Sequence, residues 1–418
     1  MSPVATAPAH LRVEDANLRT AYLREVLDVL YPPPCHTTGA PGDGPDVQAG
    51  RPVADYLVVP DVRRPRLLVP ARSRRIAAAA VRRYAEPQGR VAKLKRDAVV
   101  AALRTGVSAM VLRDRIRVYG PAGGTVDAYL RAALDADLAV SIHIGPARAN
   151  RKPVLQLIAA DGGTVAFVKL GTGPLTRRLV RAETAALKAL AHAALADVTI
   201  PTVLHSGHWQ GHQVLVQSAL PVWEPRAALG PQRLARAMRE VAFCCGTSKG
   251  WLATSPYWAE LRERLTAVAD RPDGAALHAA ARDLAARAGD TDLRFGAWHG
   301  DWSPWNMAPL AGTVLLWDWE RFTLGVPLGF DALHHELQRR IQSQPDAAAA
   351  VEATVGRAAA LLAPFDVPAA TAELTALLYL VDLAARYLAD RQAEAGARLG
   401  VLGTWLLPVL VRRVEAYR

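Results

Sequence analysis

Cysteine is scarce in this sequence. Its 418 residues include three cysteines, and two of them, Cys244 and Cys245, are adjacent. Neighbouring cysteines are poorly placed for an ordinary disulfide and do not have the two-residue spacing of a C-x-x-C metal site. The thiols are therefore expected to be reduced, and a disulfide framework is excluded.

Long apolar runs are also missing. The N-terminal region carries Glu14 and Asp15 where a secretory signal would need an apolar segment. The longest late apolar stretch, 401–411, is short and is interrupted by Pro408. No transmembrane segment is therefore predicted, and we expect a soluble, cytoplasmic protein.

Acidic residues are sparse in one part of the chain. Residues 63–117 contain sixteen Lys or Arg against three acids, whereas the rest of the chain is close to neutral. A concentrated positive field favours nucleic acid, an anionic surface or an acidic partner protein. A solvated Arg-rich face remains the simpler interpretation.

What is present indicates a globular chain with several parts. The apolar fraction is 51% over 418 residues, which predicts two or three domains at roughly 100 to 200 residues each. Residues 1–54 contain a predicted helix at 14–30, followed by a flexible linker rich in Gly, Pro and Asp. Residues 55–122 predict a small basic α/β module with strands near 56, 67 and 116.

The remaining two parts have different periodicities. Residues 123–222 begin with a helix and continue with three strand-like segments, which predict an antiparallel β-meander. A helix at 176–193 and two further strands follow. Residues 223–418 have mainly helical periodicity, interrupted near 299 and 318.

Residues suited to phosphoryl transfer occur at these two interruptions. The segment HGDWSPWN runs from His299 to Asn306, and Asp318 follows in LLWDWE. Phosphoryl transfer needs a carboxylate that orients the attacking hydroxyl, oxygen ligands for magnesium and a cation on the nucleotide phosphates. Asp301 lies five residues before Asn306, which suits a short catalytic loop, although Asp, Ser, Pro and Asn are also common in ordinary turns.

The two motifs resemble those of the aminoglycoside phosphotransferase and choline kinase-like family, whose members are related to protein kinases. Over roughly residues 125–340, the resemblance implies an α+β, protein kinase-like bilobal fold with a small antiparallel β-sheet N-lobe and a mostly helical C-lobe. The basic module would precede it. The resemblance implies that Asp301 is the catalytic base, that His299 positions the loop, and that Asn306 and Asp318 bind Mg2+.

An upstream lysine and glutamate fit the same family pattern. Lys169 ends the apolar strand AFVKL, and Glu183 follows fourteen residues later in a predicted helix. This spacing suits a lysine on the ATP phosphates that a helix glutamate holds in place. Residues 214–220 would form the hinge, where the backbone groups of Gln217 and Ala219 would pair with adenine.

The loop expected to cover the phosphates departs from a glycine-rich pattern. Between the first two strands of the meander the chain reads GPARANRKP, from Gly145 to Pro153, without G-x-G-x-x-G. Arg148 and Arg151 are candidates to contact the phosphates in place of glycine backbone. A solvated hairpin tip is an equally good interpretation.

Tryptophan is concentrated around the motifs, with five of the ten between 298 and 319. Trp302 and Trp305, inside the loop, and Trp258, in the helical part, are candidates for contact with the acceptor. Packing beneath the loop is the alternative, because aromatic side chains usually serve cores.

These features together predict an ATP- and Mg2+-dependent phosphotransferase that acts on a hydroxyl of a small molecule of the sugar, aminoglycoside or amino alcohol type. Two alternatives remain open. The acceptor could be Ser or Thr of a peptide, or the chain could be a non-catalytic nucleotide-binding protein with a basic interaction module.

Overall fold

The computed structural model describes residues 9–40, 51–84, 90–106, 112–146, 148–397 and 399–418. The centre of the linker predicted to be flexible, 41–50, lies outside them. The chain forms two compact units. The first comprises Met1–Arg181 with Thr202–Trp223, and the second comprises Ala182–Pro201 with Glu224–Arg418.

The first unit is built on one nine-stranded sheet whose neighbouring strands are all antiparallel. The strand order is β1-β4-β2-β3-β5-β6-β7-β10-β9. Its strands are β1 (His36–Thr38), β2 (Ala54–Val59), β3 (Leu67–Pro70), β4 (Arg115–Tyr119), β5 (Ala139–His143), β6 (Val154–Ile158), β7 (Thr164–Gly171), β9 (Val203–Trp209) and β10 (His212–Ser218). The predicted antiparallel meander corresponds to β5, β6 and β7.

Helices cover both faces of this sheet. They are α1 (Ala9–Leu30), α2 (Arg74–Tyr84), α3 (Arg90–Thr105) and α4 (Val126–Leu134). One face packs on α1 and α4 through Leu155 and Val168. The other face packs on α2 and α3 through Leu67 and Ile158. Because strand side chains alternate between faces, β2, β3 and β6 contribute side chains to both cores.

The predicted boundary near residue 122 does not divide this unit. Leu68 of β3 pairs with Ile142 of β5, so the strands predicted for a separate basic module continue the sheet of the meander. The N-terminal helix is equally integral, since Leu23 and Leu27 of α1 are buried in the core. The basic segment is therefore an extension of the lobe, which corrects the interpretation as a separate module.

The second unit is mainly helical and contains the C-terminal half of α5 (Pro174–Leu190). Its other helices are α6 (Pro231–Phe243), α7 (Pro256–Thr266), α8 (Gly274–Ala288), α9 (Phe330–Ser343), α10 (Ala347–Gly356), α11 (Ala358–Leu362), α12 (Ala369–Ala389) and α13 (Leu407–Ala416). The core is centred on α12, where fourteen residues are buried. A sheet-rich first part and a helical second part confirm the predicted α+β class.

Two small sheets interrupt the helices at the predicted places. One consists of β11 (Ser248–Trp251), β12 (Asp292–Trp298) and β15 (Thr323–Pro327). The other consists of β13 (Met307–Pro309), β14 (Val314–Leu316) and β8 (Val198–Thr199). Among the described residues, no single helix is long and apolar enough to span a membrane. One pair of helices joined at a bend, 347–356 and 358–365, meets this criterion by length and composition.

The buried position of α1 gives a test of its structural role. We expect Leu27→Ala to lower the free energy of unfolding by about 2–5 kcal/mol, because it leaves a cavity at a side chain that is 1% exposed. Leu18→Ala, in the same helix but 41% exposed, should change it by less than about 0.5 kcal/mol. Urea unfolding measures both, and equal effects would show that α1 is not part of the core.

Candidate active site

The HGDWSPWN loop begins with a turn that requires glycine. Strand β12 ends at Trp298, and Gly300 takes a φ of +85°. A Cβ atom at Gly300 would lie 2.4 Å from the Arg321 carbonyl oxygen. The backbone therefore turns sharply against 321 and directs Asp301 away from the strand.

Hydrogen bonds to a residue near the N-terminus of α9 stabilise this turn. The buried carboxylate of Asp331 accepts hydrogen bonds from the backbone N–H groups of His299 (2.7 Å) and Gly300 (3.1 Å). Burial raises the pKa of Asp331 to about 7, and the two N–H donors act against that rise. Asp331 is thus a structural hydrogen-bonding residue.

His299 is fixed in one neutral form. Its Nε2–H donates to the Trp317 carbonyl oxygen (3.1 Å), so Nδ1 is left to accept from the backbone N–H of Asp301 (3.1 Å). Burial lowers the pKa of His299 to about 4. This arrangement fits the predicted role of a loop-positioning residue.

Three side-chain donors converge on the Asp301 carboxylate. Oδ1 accepts from Ser303 Oγ (2.6 Å) and from His334 Nε2 (3.0 Å), and Oδ2 accepts from Asn306 Nδ2 (3.0 Å). Burial would raise the pKa of Asp301, but the hydrogen bonds from His334 and Ser303 hold it below its usual value. The side chain is 32% exposed, so an ionised, oriented carboxylate faces the solvent side of the loop.

His334 was not singled out by its sequence pattern. It lies inside the second unit, where Nδ1 accepts from the Tyr379 hydroxyl (3.0 Å) while Nε2–H donates to Asp301. Burial lowers the pKa of His334 and raises that of Tyr379, which keeps both groups neutral. The i, i+3 spacing of Asp331 and His334 on one helix face was the available signal.

An arginine also supports the loop. Arg386 of α12 donates to the Gly300 carbonyl oxygen (2.6 Å), and its charge helps to lower the pKa of Asp301. Arg321, on the far side of the turn, forms an ion pair with the buried carboxylate of Asp390. Residues of α9 and α12 thus fix a loop that has little regular structure of its own.

The β13–β14 hairpin brings the two predicted magnesium ligands to one end. Asn306 directly precedes β13 and Asp318 follows β14 by two residues, and the Trp317 N–H donates to the Asn306 carbonyl oxygen (3.1 Å). Because Asn306 uses Nδ2 on Asp301, its amide oxygen is the atom suited to a cation. Asp318 adopts a left-handed backbone with a φ of +76°.

Two glutamates accompany Asp318. Carboxylate oxygens of Glu183, Asp318 and Glu320 all lie within 4.8 Å of one another, and Glu183 Oε1 accepts from the Trp319 N–H (3.3 Å). Carboxylate and amide oxygens are the ligands that Mg2+ prefers. The donor set therefore fits a divalent cation, with Glu183 and Glu320 as further candidate ligands beside Asp318.

The lysine predicted to bind phosphates lies in the first unit. Lys169 is 7% exposed on β7, where it pairs with Val154 of β6 and Leu215 of β10. Glu183 belongs to the second unit, and its pairing with Lys169 stays a prediction.

The other predicted nucleotide contacts are only partly supported. The Arg151 guanidinium lies 3.7 Å from the centre of the Tyr22 ring and 3.9 Å from the Glu25 carboxylate, so it is engaged by α1 and the prediction of a phosphate contact is corrected. Arg148 is exposed, and its contact with the phosphates stays a prediction.

The hinge prediction needs a similar correction. The Ala219 N–H donates to the Val165 carbonyl oxygen (3.1 Å), so it is not available to adenine. Gln217 lies within β10, paired with Phe167 and Val203, and its 5% exposed side chain packs into the sheet.

Two of the three tryptophans proposed to contact the acceptor are buried. Trp302 is 0% exposed and donates from Nε1 to Met307 Sδ (3.3 Å), while Trp258 is 6% exposed within the helical core. Both serve packing, which corrects the predicted contacts. Trp305 is half-buried and remains a candidate.

No protein-family model and no curated protein matches the sequence, whereas solved structures align with it at low identity. The solved structures include a thermostable mutant of the aminoglycoside phosphotransferase APH(4)-Ia in complex with ADP and hygromycin B. It is 16% identical to this chain, the alignment covers 69% of this chain and 98% of that one, and the TM-score is 0.44. Choline kinase LicA from Streptococcus pneumoniae has 15% identity, coverage of 63% and 90% and a TM-score of 0.42. Spectinomycin phosphotransferase APH(9)-Ia, in complex with ADP and spectinomycin, has 12% identity, coverage of 69% and 97% and a TM-score of 0.43.

The turn at Gly300 can be tested by a single methyl group. We expect Gly300→Ala to lower the free energy of unfolding by about 1–3 kcal/mol, because the new Cβ meets the 321 carbonyl and the backbone is left-handed. Gly312→Ala is the control, since no atom lies within 4 Å of its Cβ position. Equal denaturation midpoints for the two variants would contradict the close approach.

The neutral state of His299 makes stability depend on pH. Its pKa is lowered from 6.5 to about 4, so between these values the unfolded chain binds a proton that the folded chain does not. Stability is therefore lost as the pH falls from about 6.5 to about 4, by at most about 3 kcal/mol from this residue. We expect His299→Gln to show a smaller loss in urea unfolding over this range.

A matched variant isolates this effect. His192→Gln replaces an exposed histidine of the same unit and should keep the wild-type slope. Asp331, whose raised pKa acts in the opposite direction, is present in all three proteins and cancels in the comparison. An unchanged slope in His299→Gln would show that His299 takes up a proton over the same pH range in the folded and the unfolded protein.

Proposed function

We propose that the protein is an ATP- and Mg2+-dependent phosphotransferase that phosphorylates a hydroxyl group of a small molecule. The observation that carries the proposal is the Asp301 carboxylate, which is partly exposed and fixed by hydrogen bonds from Ser303, His334 and Asn306. A carboxylate held in this way can accept a hydrogen bond from an alcohol and direct its oxygen at a phosphoryl group.

The electrostatics of the loop suit this role. The lowered pKa of Asp301 keeps it ionised at neutral pH, so it can orient the acceptor hydroxyl and take its proton as the bond to phosphorus forms. His334 is a positioning residue, since its Nε2–H holds Oδ1 while Tyr379 fixes its tautomer. The remaining lone pairs of the carboxylate are directed to the acceptor.

Magnesium would be held at the end of the β13–β14 hairpin. Asp318 and the Asn306 amide oxygen are the proposed ligands, with the carboxylates of Glu183 and Glu320 close to Asp318. When bound, Mg2+ would neutralise charge on the nucleotide phosphates. Lys169, buried on β7, is the proposed cation for the same phosphates.

The acceptor is proposed to be a small molecule rather than a peptide. The exposed part of the loop is short, and of its two tryptophans Trp302 is buried whereas Trp305 is half-buried. A half-buried indole in the same loop as the proposed catalytic carboxylate offers one flat face of the size of a sugar or amino alcohol.

Substitution of Asp301 tests the proposed base. We expect Asp301→Asn to lower kcat by about 10²–10⁴-fold, because the amide keeps the shape of the side chain but cannot take the hydroxyl proton. The measurement is acceptor-dependent release of ADP from ATP and Mg2+ across a panel of sugars, aminoglycosides and amino alcohols. Asp290→Asn, an exposed aspartate of the same unit, should retain full activity.

The same assay separates the alternatives. Unchanged turnover in Asp301→Asn would contradict the assignment of the base. Turnover with Ser- or Thr-containing peptides and with no small molecule would replace the acceptor class. ATP binding without any acceptor-dependent turnover would support a nucleotide-binding protein instead.

A further inference from the structure

The first unit contains a cavity that is lined by arginine. It has a volume of about 270 Å3 and lies where α2, α3, the β6–β7 turn and the segment after β10 meet. The lining side chains that carry charge are Arg75, Arg82, Arg83 and Arg104, with Asp161 as the one acid among the described lining residues. Convergence of four chain segments distinguishes this cavity from a charged helix face.

The arginines reach the cavity by helical spacing. Arg75, Arg82 and Arg83 are separated by seven and eight residues on α2, which places them on one face, and Arg104 is added by the last turn of α3. Among the described residues, none of these four guanidinium groups forms a hydrogen bond or a close ion pair. Asp161 therefore offsets only part of their charge within the part of the chain that the structure describes.

One wall of the cavity is aromatic. The Arg83 guanidinium lies 4.4 Å from the centre of the Trp223 ring, and partial burial together with the charge of Arg82 lowers the pKa of Arg83. Trp223 remains 44% exposed. The contact holds the guanidinium by a cation–π interaction while its N–H groups remain able to bind an anion.

The opposite wall is a tight turn. The Asp161 carboxylate accepts from the Gly163 N–H (2.7 Å), which commits it to the turn. A Cβ atom at Gly162 would lie 3.4 Å from Ala79 of α2, so the turn packs closely on the helix. This wall of the cavity is therefore held in place by its packing on α2.

The cavity is separate from the lysine of the proposed phosphotransferase site. Lys169 lies five residues along β7 from Thr164, where the β6–β7 turn ends, which corresponds to roughly 17 Å of extended strand. A phosphate group on Lys169 therefore cannot also occupy the arginine cavity.

We propose that this cavity binds a small molecule bearing two adjacent phosphate groups. Guanidinium groups bind phosphate oxygens through paired N–H donors, and four of them around one acid leave an excess of three positive charges. A nucleic acid backbone would instead need cations spaced along an open track. The volume suits a diphosphate group with a small substituent, and the exposed edge of Trp223 offers a surface for that substituent.

Pyrophosphate is the probe that tests this site. We expect calorimetry at constant ionic strength to show saturable binding, and the double variant Arg82→Gln/Arg104→Gln to weaken it by about a hundredfold, since each charge-assisted hydrogen bond lost costs about tenfold. Both arginines are exposed, so the variant should retain the wild-type melting temperature.

Two control variants keep the test specific. Arg63→Gln/Arg64→Gln removes the same charge from exposed positions outside the cavity and should change affinity by less than about threefold, because salt screens distant charges. Lys169→Ala should leave pyrophosphate binding intact, whatever its effect on phosphoryl transfer. The binding test thus does not depend on the proposed activity.

Three results would overturn the inference. Absence of pyrophosphate binding to the wild-type protein would exclude the site, and equal weakening by the two arginine pairs would show only a diffuse positive field. Loss of binding in Lys169→Ala with retention in Arg82→Gln/Arg104→Gln would place the anion at the nucleotide site. Tighter binding of a single-stranded oligonucleotide that displaces pyrophosphate would identify nucleic acid as the ligand instead.

Discussion

The hydrogen bonds from the backbone of His299 and Gly300 to the Asp331 carboxylate are the contact on which the candidate active site depends. Burying a carboxylate is costly, and here the cost is offset by two N–H groups that a sharp turn would otherwise leave without partners. Because Gly300 has no room for a side chain, the turn has one available shape. The position of Asp301 follows from that shape.

The same constraint organises the surrounding side chains. With the turn fixed, a neutral His299 joins it to the strand end at 317, and His334 reaches the carboxylate from the helix that also carries Asp331. The β13–β14 hairpin then places Asn306 and Asp318 together. The proposed catalytic carboxylate and the proposed cation ligands are thus positioned by one loop, one helix and one hairpin of the second unit.

Local patterns were sufficient to predict the strands of the meander and the helical second part, and the motif residues 301 and 306 lie in hydrogen-bond contact. Pairing between distant strands was not predictable, because nothing near residue 68 indicates that it pairs with 142, and the basic segment was therefore interpreted as a separate module. The exposure of individual side chains was equally unpredictable from the sequence. Trp302 and Trp305 have similar sequence surroundings, yet only the structure shows that the first lies beneath the loop.

Transfer of the γ-phosphate of ATP to an acceptor hydroxyl is the central claim of this account. Mass spectrometry of the acceptor panel after incubation with Mg2+ and ATP carrying isotopically labelled γ-phosphate oxygen tests it directly. The account predicts labelled phosphate on an acceptor hydroxyl with the wild-type protein, and almost none with a protein that lacks the Asp301 carboxylate. Label that appears only in free phosphate, or on the acceptor equally in both proteins, would contradict it.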